Sequence, residues 1–220
     1  MEILTYGSSD ADIVLLQMID EQEKASLEEE IACIARNIGT GTEKYLFCAC
    51  RVQDWNRDLS PWEALPVFGK EGFAGGAAET LACLTDEVIP DLPGGVEGKK
   101  IILGGYSLSG LFALWAAYQT ELFSGVAAAS PSVWFPGFSA YACSHPIHAE
   151  AVYLSLGNKE EKAKNRTLAS VGDSIREIAA HYAMIPGLSS VLEWNEGNHF
   201  RDAALRTGRA FAWTFGMLKK

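Results

Sequence analysis

A chain of 220 residues can bury roughly 70% of the surface its unfolded form exposes, which suits one domain with a sizeable core spanning 1–220. Composition is ordinary for a globular protein, with 48% hydrophobic and 21% charged residues, and a formal net charge of −10 rules against a nucleic-acid partner. Five scattered cysteines without C-x-x-C spacing, an acidic N-terminus and short apolar runs rule against a disulfide framework, a leader peptide and a membrane span. The expectation is a soluble cytoplasmic protein with reduced thiols and no membrane partner, self-association being left open.

Residues 1–10 read as a lead-in ending in a turn. Residues 11–19 form the first strand, apolar nearly throughout and so buried on both faces. A polar loop at 20–23 precedes a helix over 26–38. There Leu27, Ile31, Ile34 and Ile38 share a face, Ser26 and Glu29 form a capping box, and Gly39 ends the element. Glu28-Glu29-Glu30 reads as its solvated first turn. A second buried strand over 45–52 puts Cys48 and Cys50 on one face. The loop from 53 to 76 is long and carries Trp55 and Trp62 among alternating charges. Two readings stand for it: a self-packed loop or a substrate-binding one. A helix follows over 77–89.

At 99–103 an apolar strand runs until Gly104-Gly105 breaks it. Ser107 comes next, and Leu111, Leu114, Trp115 and Tyr118 then recur at helical spacing. Strand, tight turn with a serine at its apex, then helix is the layout of a nucleophile elbow. Such a turn pushes the hydroxyl out of the backbone and aims the first helix amides at the same point. Ser107 has Gly105 two residues before it and Ser109 two after, where G-x-S-x-G asks for glycine. Ser109 is flanked wrongly on both sides, by Ser107 and Leu111. Ser107 is the candidate nucleophile.

A short strand of small residues over 125–129 ends in Ser130-Pro131-Ser132-Val133-Trp134-Phe135. The strand at 151–156 ends in Gly157-Asn158-Lys159-Glu160-Glu161. A helix over 167–183, a last strand over 190–195, the loop Glu196-Gly197-Asn198-His199-Phe200 and a helix over 201–218 complete the chain. This alternation predicts an α/β fold: a mostly parallel central sheet with helices on both faces and ligands beyond the carboxyl ends of the strands.

Nucleophile, acid and base in the order Ser, Asp or Glu, His suit that fold. His199 is the candidate base. His181 lies inside a helix, and His145 and His148 have only a weak His-x-x-His metal spacing. Glu160 is the candidate acid, with Glu161 as the alternative. The oxyanion hole would use the N–H of Leu108 and a second donor from the loop that starts at Ile19. Trp55, Trp62, Trp134 and Phe200 would edge the site, suiting an apolar acyl chain, an aryl group or a sugar face.

With GGYSLSGLFALW at 104–115, SPSVWF at 130–135, SLGNKEE at 155–161 and GNHF at 197–200, the chain resembles the enterochelin-esterase-like and esterase-D-like branch of the α/β-hydrolases. It departs from the pattern at Ser109, where a glycine is usual, and at Asn158, where the loop is often acidic. With roughly twenty residues between the strands at 125–129 and 151–156, it resembles a short member without a lid domain. The resemblance implies a serine hydrolase that cleaves carboxylic esters of small molecules through an acyl-enzyme, with no metal or cofactor. A catalytically silent binding module on the same scaffold, or an acyltransferase using the same residues, are the alternatives.

Overall fold

A computed structural model describes residues 1–39, 44–67 and 69–219. In chain order the elements are β1 (Glu2–Gly7), β2 (Ile13–Ile19), α1 (Glu21–Ile38), β3 (Leu46–Arg51) and α2 (Trp55–Asp58). A small hairpin, β4 (Glu63–Ala64) and β5 (Phe73–Ala74), and α3 (Ala77–Cys83) follow. Then come β6 (Lys100–Tyr106), α4 (Ser107–Ala116), β7 (Gly125–Ala129), α5 (Phe138–Ser144) and β8 (Ala151–Gly157). The chain continues with α6 (Arg166–Ala169), α7 (Val171–Tyr182), β9 (Ser189–Asn195) and α8 (Ala203–Leu218).

The main sheet has the order β1-β3-β2-β6-β7-β8-β9 and is parallel throughout except for β1, which pairs antiparallel with β3. Alternate side chains feed two cores. Val14, Leu16 and Met18 of β2 face one side with residues of α3, α4, α5 and α7, while Ile13, Leu15 and Ile19 face α1 and α8. Cys48 and Cys50 lie in the first core, where burial pushes both thiols up to about 12 and keeps them protonated. Among the described residues no helix is long and apolar enough to cross a membrane. Because β2 connects leftward to β3 and the chain then returns to place β6 on the other side of β2, the strand order reverses between β2 and β6. Crevices form at such a reversal, and Ser107 follows β6 directly.

The structure corrects several boundaries. The lead-in is the edge strand β1; its mixed, half-exposed residues lack the continuous apolar run of a buried strand, and its pairing with β3 is non-local. Gly104-Gly105 does not break β6. The strand continues to Tyr106, and glycine is needed because a Cβ at Gly104 would lie 2.7 Å from the Phe211 ring and 2.8 Å from Ala127. The helix expected over 77–89 is α3 running on into a π turn at Leu84–Val88. The single helix expected over 167–183 is divided into α6 and α7, with Asn165 capping the first piece.

Helix α1 begins at Glu21 rather than at Ser26. Asp20 is its N-cap, accepting the Glu23 N–H at 2.7 Å, and Gly39 closes it at φ 77°. Five further residues of helix place Glu30 inward instead of in a solvated first turn. There Gln17 Nε2 donates to Glu30 Oε2 at 3.3 Å, while Glu30 Oε1 and Gln17 Oε1 have no partner. Burial pushes Glu30 up to about 8, against the smaller pull of Gln17, and Glu23 is raised by burial and then by the Glu30 charge. With Oε1 buried and unpartnered, the neutral acid is the form this pocket fits.

The sign of the pH effect follows. An acid raised in the folded state contributes most to stability below its unfolded value of 4.5, and that contribution is lost as pH rises toward about 8. Each unit of that shift corresponds to about 1.4 kcal/mol. Glu30→Gln is therefore expected to raise Tm at pH 9 and to change it little at pH 5. Thermal unfolding at the two pH values checks this; an equal shift at both would refute it.

Candidate active site

Three loops at the carboxyl ends of β6, β8 and β9 meet beside the strand reversal. Tyr106 caps α4 in extended conformation, and Ser107 then takes φ 56°, a left-handed value that lifts its hydroxyl clear of the sheet. The small neighbours of the elbow have separate reasons. A Cβ at Gly105 would lie 2.0 Å from Ser109 Oγ. Ser109 itself is buried and donates to Met18 O at 2.8 Å, tying the elbow to the end of β2. Serine in place of the second glycine thus adds a tether.

His199, after β9, places Nε2 2.9 Å from Ser107 Oγ, and Nδ1 2.7 Å from Glu160 Oε2 in the turn after β8. The two loops are laced together: Lys159 N–H donates to Gly197 O at 3.0 Å and Gly197 N–H to Asn158 Oδ1 at 3.1 Å. Asn158, the second departure from the family pattern, has this structural job. Glu161 does not enter the site. It turns outward to Arg176 Nη2, at 2.6 Å.

The other oxygen of Glu160 is saturated. Oε1 accepts from Gly157 N–H at 2.7 Å, Ser130 Oγ at 2.9 Å and Arg206 Nη1 at 3.1 Å. Burial pushes this carboxyl up, but the hydrogen bond and charge of His199, helped by Gly157 and Ser130, outweigh burial and hold it below its ordinary value. It stays ionised. Ser130 adopts φ 42° to make its contact.

Arg206, near the start of α8, is 1% exposed and reaches across the site's floor. Besides Glu160 it donates from Nη1 to Tyr106 Oη and Ser130 Oγ, and from Nη2 to Glu196 O and Asn198 O, each at 3.1 Å. Tyr106 in turn donates its hydroxyl to His199 O at 2.7 Å. One guanidinium therefore binds the acid, the residue before the elbow and the backbone of the histidine loop. Sequence reasoning missed Arg206, Tyr106, Ser130 and Ser132. A signal existed for the first, since Arg206 lies one helical turn before the apolar pair Ala210-Phe211 and so interrupts a buried stripe.

Beside Ser107 opens a cavity of about 500 Å³ whose lining includes Trp55, Phe73, Trp134, Val171 and Phe200, together with Leu108 and Ser132. Leu108, second residue of α4, has no carbonyl four residues back in the helix for its N–H. Two expected positions lie elsewhere. Ile19 is fully buried between the sheet and the outer helices, its carbonyl accepting from Val52 N–H at 3.0 Å, and it does not line the cavity. The loop expected there is reduced to one residue, because α1 starts at Glu21 with Asp20 as its N-cap immediately after β2. Trp62 packs in an aromatic cluster with Phe135, Phe138 and Tyr141, at centroid distances of 5.7, 6.5 and 5.5 Å, and its N–H donates to Pro136 O. The loop at 53–76, of which residue 68 lies outside the described residues, thus combines both readings: Trp55 and Phe73 face the cavity while Trp62 packs internally.

No protein-family model and no curated protein matches the chain. Solved structures do. An IroE-like serine hydrolase from Shewanella oneidensis superimposes with a TM-score of 0.74 at 17% identity, over 96% of this chain and 74% of that one. The siderophore hydrolase EstB from Aspergillus nidulans gives 0.67 at 16% identity, covering 92% and 82%. EstA of the same organism, also a siderophore hydrolase, gives 0.64 at 21% identity, covering 95% and 82%. At such identities the likeness is one of architecture, and it agrees with the strand order, the strand reversal and the elbow: this chain has the α/β-hydrolase fold.

Proposed function

We propose that the protein is a serine hydrolase cleaving carboxylic esters of small molecules through an acyl-enzyme. The observation that carries this reading is the unbroken hydrogen-bond chain Ser107–His199–Glu160 lining an apolar cavity. Ser107 Oγ attacks the ester carbon while its proton passes to His199 Nε2. Glu160 holds the imidazole by Nδ1 and stabilises the imidazolium without taking its proton. Negative charge moves to the former carbonyl oxygen, which Leu108 N–H and the helix N-terminus of α4 stabilise. As the intermediate collapses, His199 gives the proton to the departing alkoxide. A water, deprotonated by the same imidazole, then releases the acid and restores Ser107.

Aromatic and aliphatic walls favour an apolar or aryl acyl group, and siderophores, since two structural neighbours are named siderophore hydrolases, belong in the substrate panel. A fluorophosphonate tests the reading: it is expected to label the native protein at Ser107 and to leave Ser107→Ala unlabelled. Equal labelling of the two, or none of the native protein, would reject it.

Phe200 is 89% exposed at the rim. Phe200→Ala is expected to raise KM about 5- to 10-fold for p-nitrophenyl esters of longer acyl chains, with kcat nearly constant, because the loss is one of binding area. The acetate ester, too short to reach the rim, serves as the control.

A further inference from the structure

The Ser-Pro-Ser turn after β7 contributes two hydroxyls to the site, and only that of Ser130 has a place in the scheme above. We propose that Ser132 is a further catalytic residue, whose hydroxyl donates a hydrogen bond to Ser107 Oγ and stabilises the charge that this oxygen carries when it attacks and when it leaves. The proposal rests on the serine-hydrolase reading.

The direction of the bond follows from counting protons. Glu160 is ionised and can only accept, so His199 Nδ1 carries the hydrogen shared at 2.7 Å. A neutral imidazole then has a bare Nε2, and Ser107 must donate to it across 2.9 Å. Ser107 has no second hydrogen. Ser132 Oγ lies 3.2 Å from Ser107 Oγ, so in that contact Ser132 is the donor. Among the described residues its hydroxyl has no other hydrogen-bond partner.

The hydroxyl is also held in place. Ser132 is 2% exposed, and its N–H donates to the carbonyl of Ser107 itself at 2.9 Å, so nucleophile and donor share a backbone tie. Pro131 restricts the turn, and the turn lies against α4 where Gly110 leaves room: a Cβ there would be 3.2 Å from Pro131 Cβ. A donor fixed before reaction need not reorganise as charge appears.

In acylation, the Oγ–C bond forms as the Oγ proton passes to Nε2, and Ser132 offsets the negative charge on Oγ before the bond is complete. In deacylation, the Oγ–C bond breaks, its electron pair returns to Oγ, and Nε2 gives back the proton. Ser132 again donates to the oxygen that bears the charge. It transfers no proton, so neither step needs a further reactant.

Ser132→Ala is expected to lower kcat for a p-nitrophenyl ester about 10- to 100-fold with KM nearly unchanged, and to slow fluorophosphonate labelling by a similar factor. Ser132→Thr, which keeps the hydroxyl, is expected to recover most of the loss. Labelling of Ser132→Ala at the native rate, an increase in rate, or a change confined to KM would overturn the proposal. Should the threonine variant fold poorly, stopped-flow measurement on Ser132→Ala decides: both acylation and deacylation must slow, and slowing of only one refutes the role. Native protein that neither labels nor turns over ester would sink the hydrolase reading and Ser132 with it. Native protein that labels normally while Ser132→Ala labels equally fast would sink Ser132 alone.

Discussion

Ser107→Ala is expected to lower kcat about 10⁵- to 10⁶-fold, and His199→Ala to do nearly the same, with the double variant no worse than either. The reason is geometric. Nucleophile and base share one hydrogen across 2.9 Å, so removing either end removes the same event. Glu160→Gln is expected to cost less, about 10⁴-fold, because the imidazole then loses its orienting acceptor while the nucleophile and the oxyanion donors stay in place. Steady-state kinetics on one activated ester with the native protein and the four variants provides the check. A Ser107→Ala protein retaining more than about 1% of native kcat would remove this serine from the mechanism, since such a residue would not take part in bond formation.

Arg206→Met carries the second large effect, on stability as well as rate. Three donors converge on Glu160 Oε1, and deleting the charged one leaves that buried oxygen with only Gly157 N–H and Ser130 Oγ, while Oε2 keeps its contact with His199. Breaking a buried pair from one side costs about 3–5 kcal/mol, enough to lower Tm by about 10 °C in a chain of this length. The carbonyls of Glu196 and Asn198 lose their donor in the same step, so the histidine loop loosens and kcat falls. Lysine at 206 keeps the charge but cannot span both groups, and is expected to recover stability better than activity.

The pH dependence has a definite sign. Glu160 is held below its ordinary value, so its contribution to stability is present above the unfolded value of 4.5 and is lost as pH falls through the folded one. Arg206 Nη1 lies 3.1 Å from Oε1, so its loss removes a positive charge beside the carboxylate, and acid unfolding of Arg206→Met is expected to begin at a higher pH than in the native protein. Urea titrations at pH 7 and acid titrations followed by tryptophan fluorescence measure both effects. An unchanged midpoint in each would mean that the guanidinium is replaceable by solvent.

Some expectations failed for a reason that other parts of the chain supply. Ile19 was expected at the oxyanion hole because elbow folds draw a donor from that loop, but Asp20 is an excellent N-cap and starts α1 immediately after β2. Trp62 and Trp55 lie in the same loop, seven positions apart, each beside one acidic residue, Glu63 and Asp54. Which one lines the cavity depends on Phe135, Phe138 and Tyr141, more than seventy positions further on, which offer Trp62 an aromatic nest.

By itself the sequence determined the alternation of strands and helices, the serine at the elbow, the histidine loop and the choice of Glu160 as first candidate acid. Apolar period and turn chemistry act within a few residues and leave their mark in any short window, and chain order then ranks the candidates they mark. Only the tertiary structure decided what surrounds them: Arg206 against Glu160, 46 residues away, Tyr106 against the histidine loop, Ser132 against Ser107, and Glu30 inside rather than out. A polar side chain carries no local sign of its partner, because burial makes the pairing obligatory only after distant segments have met.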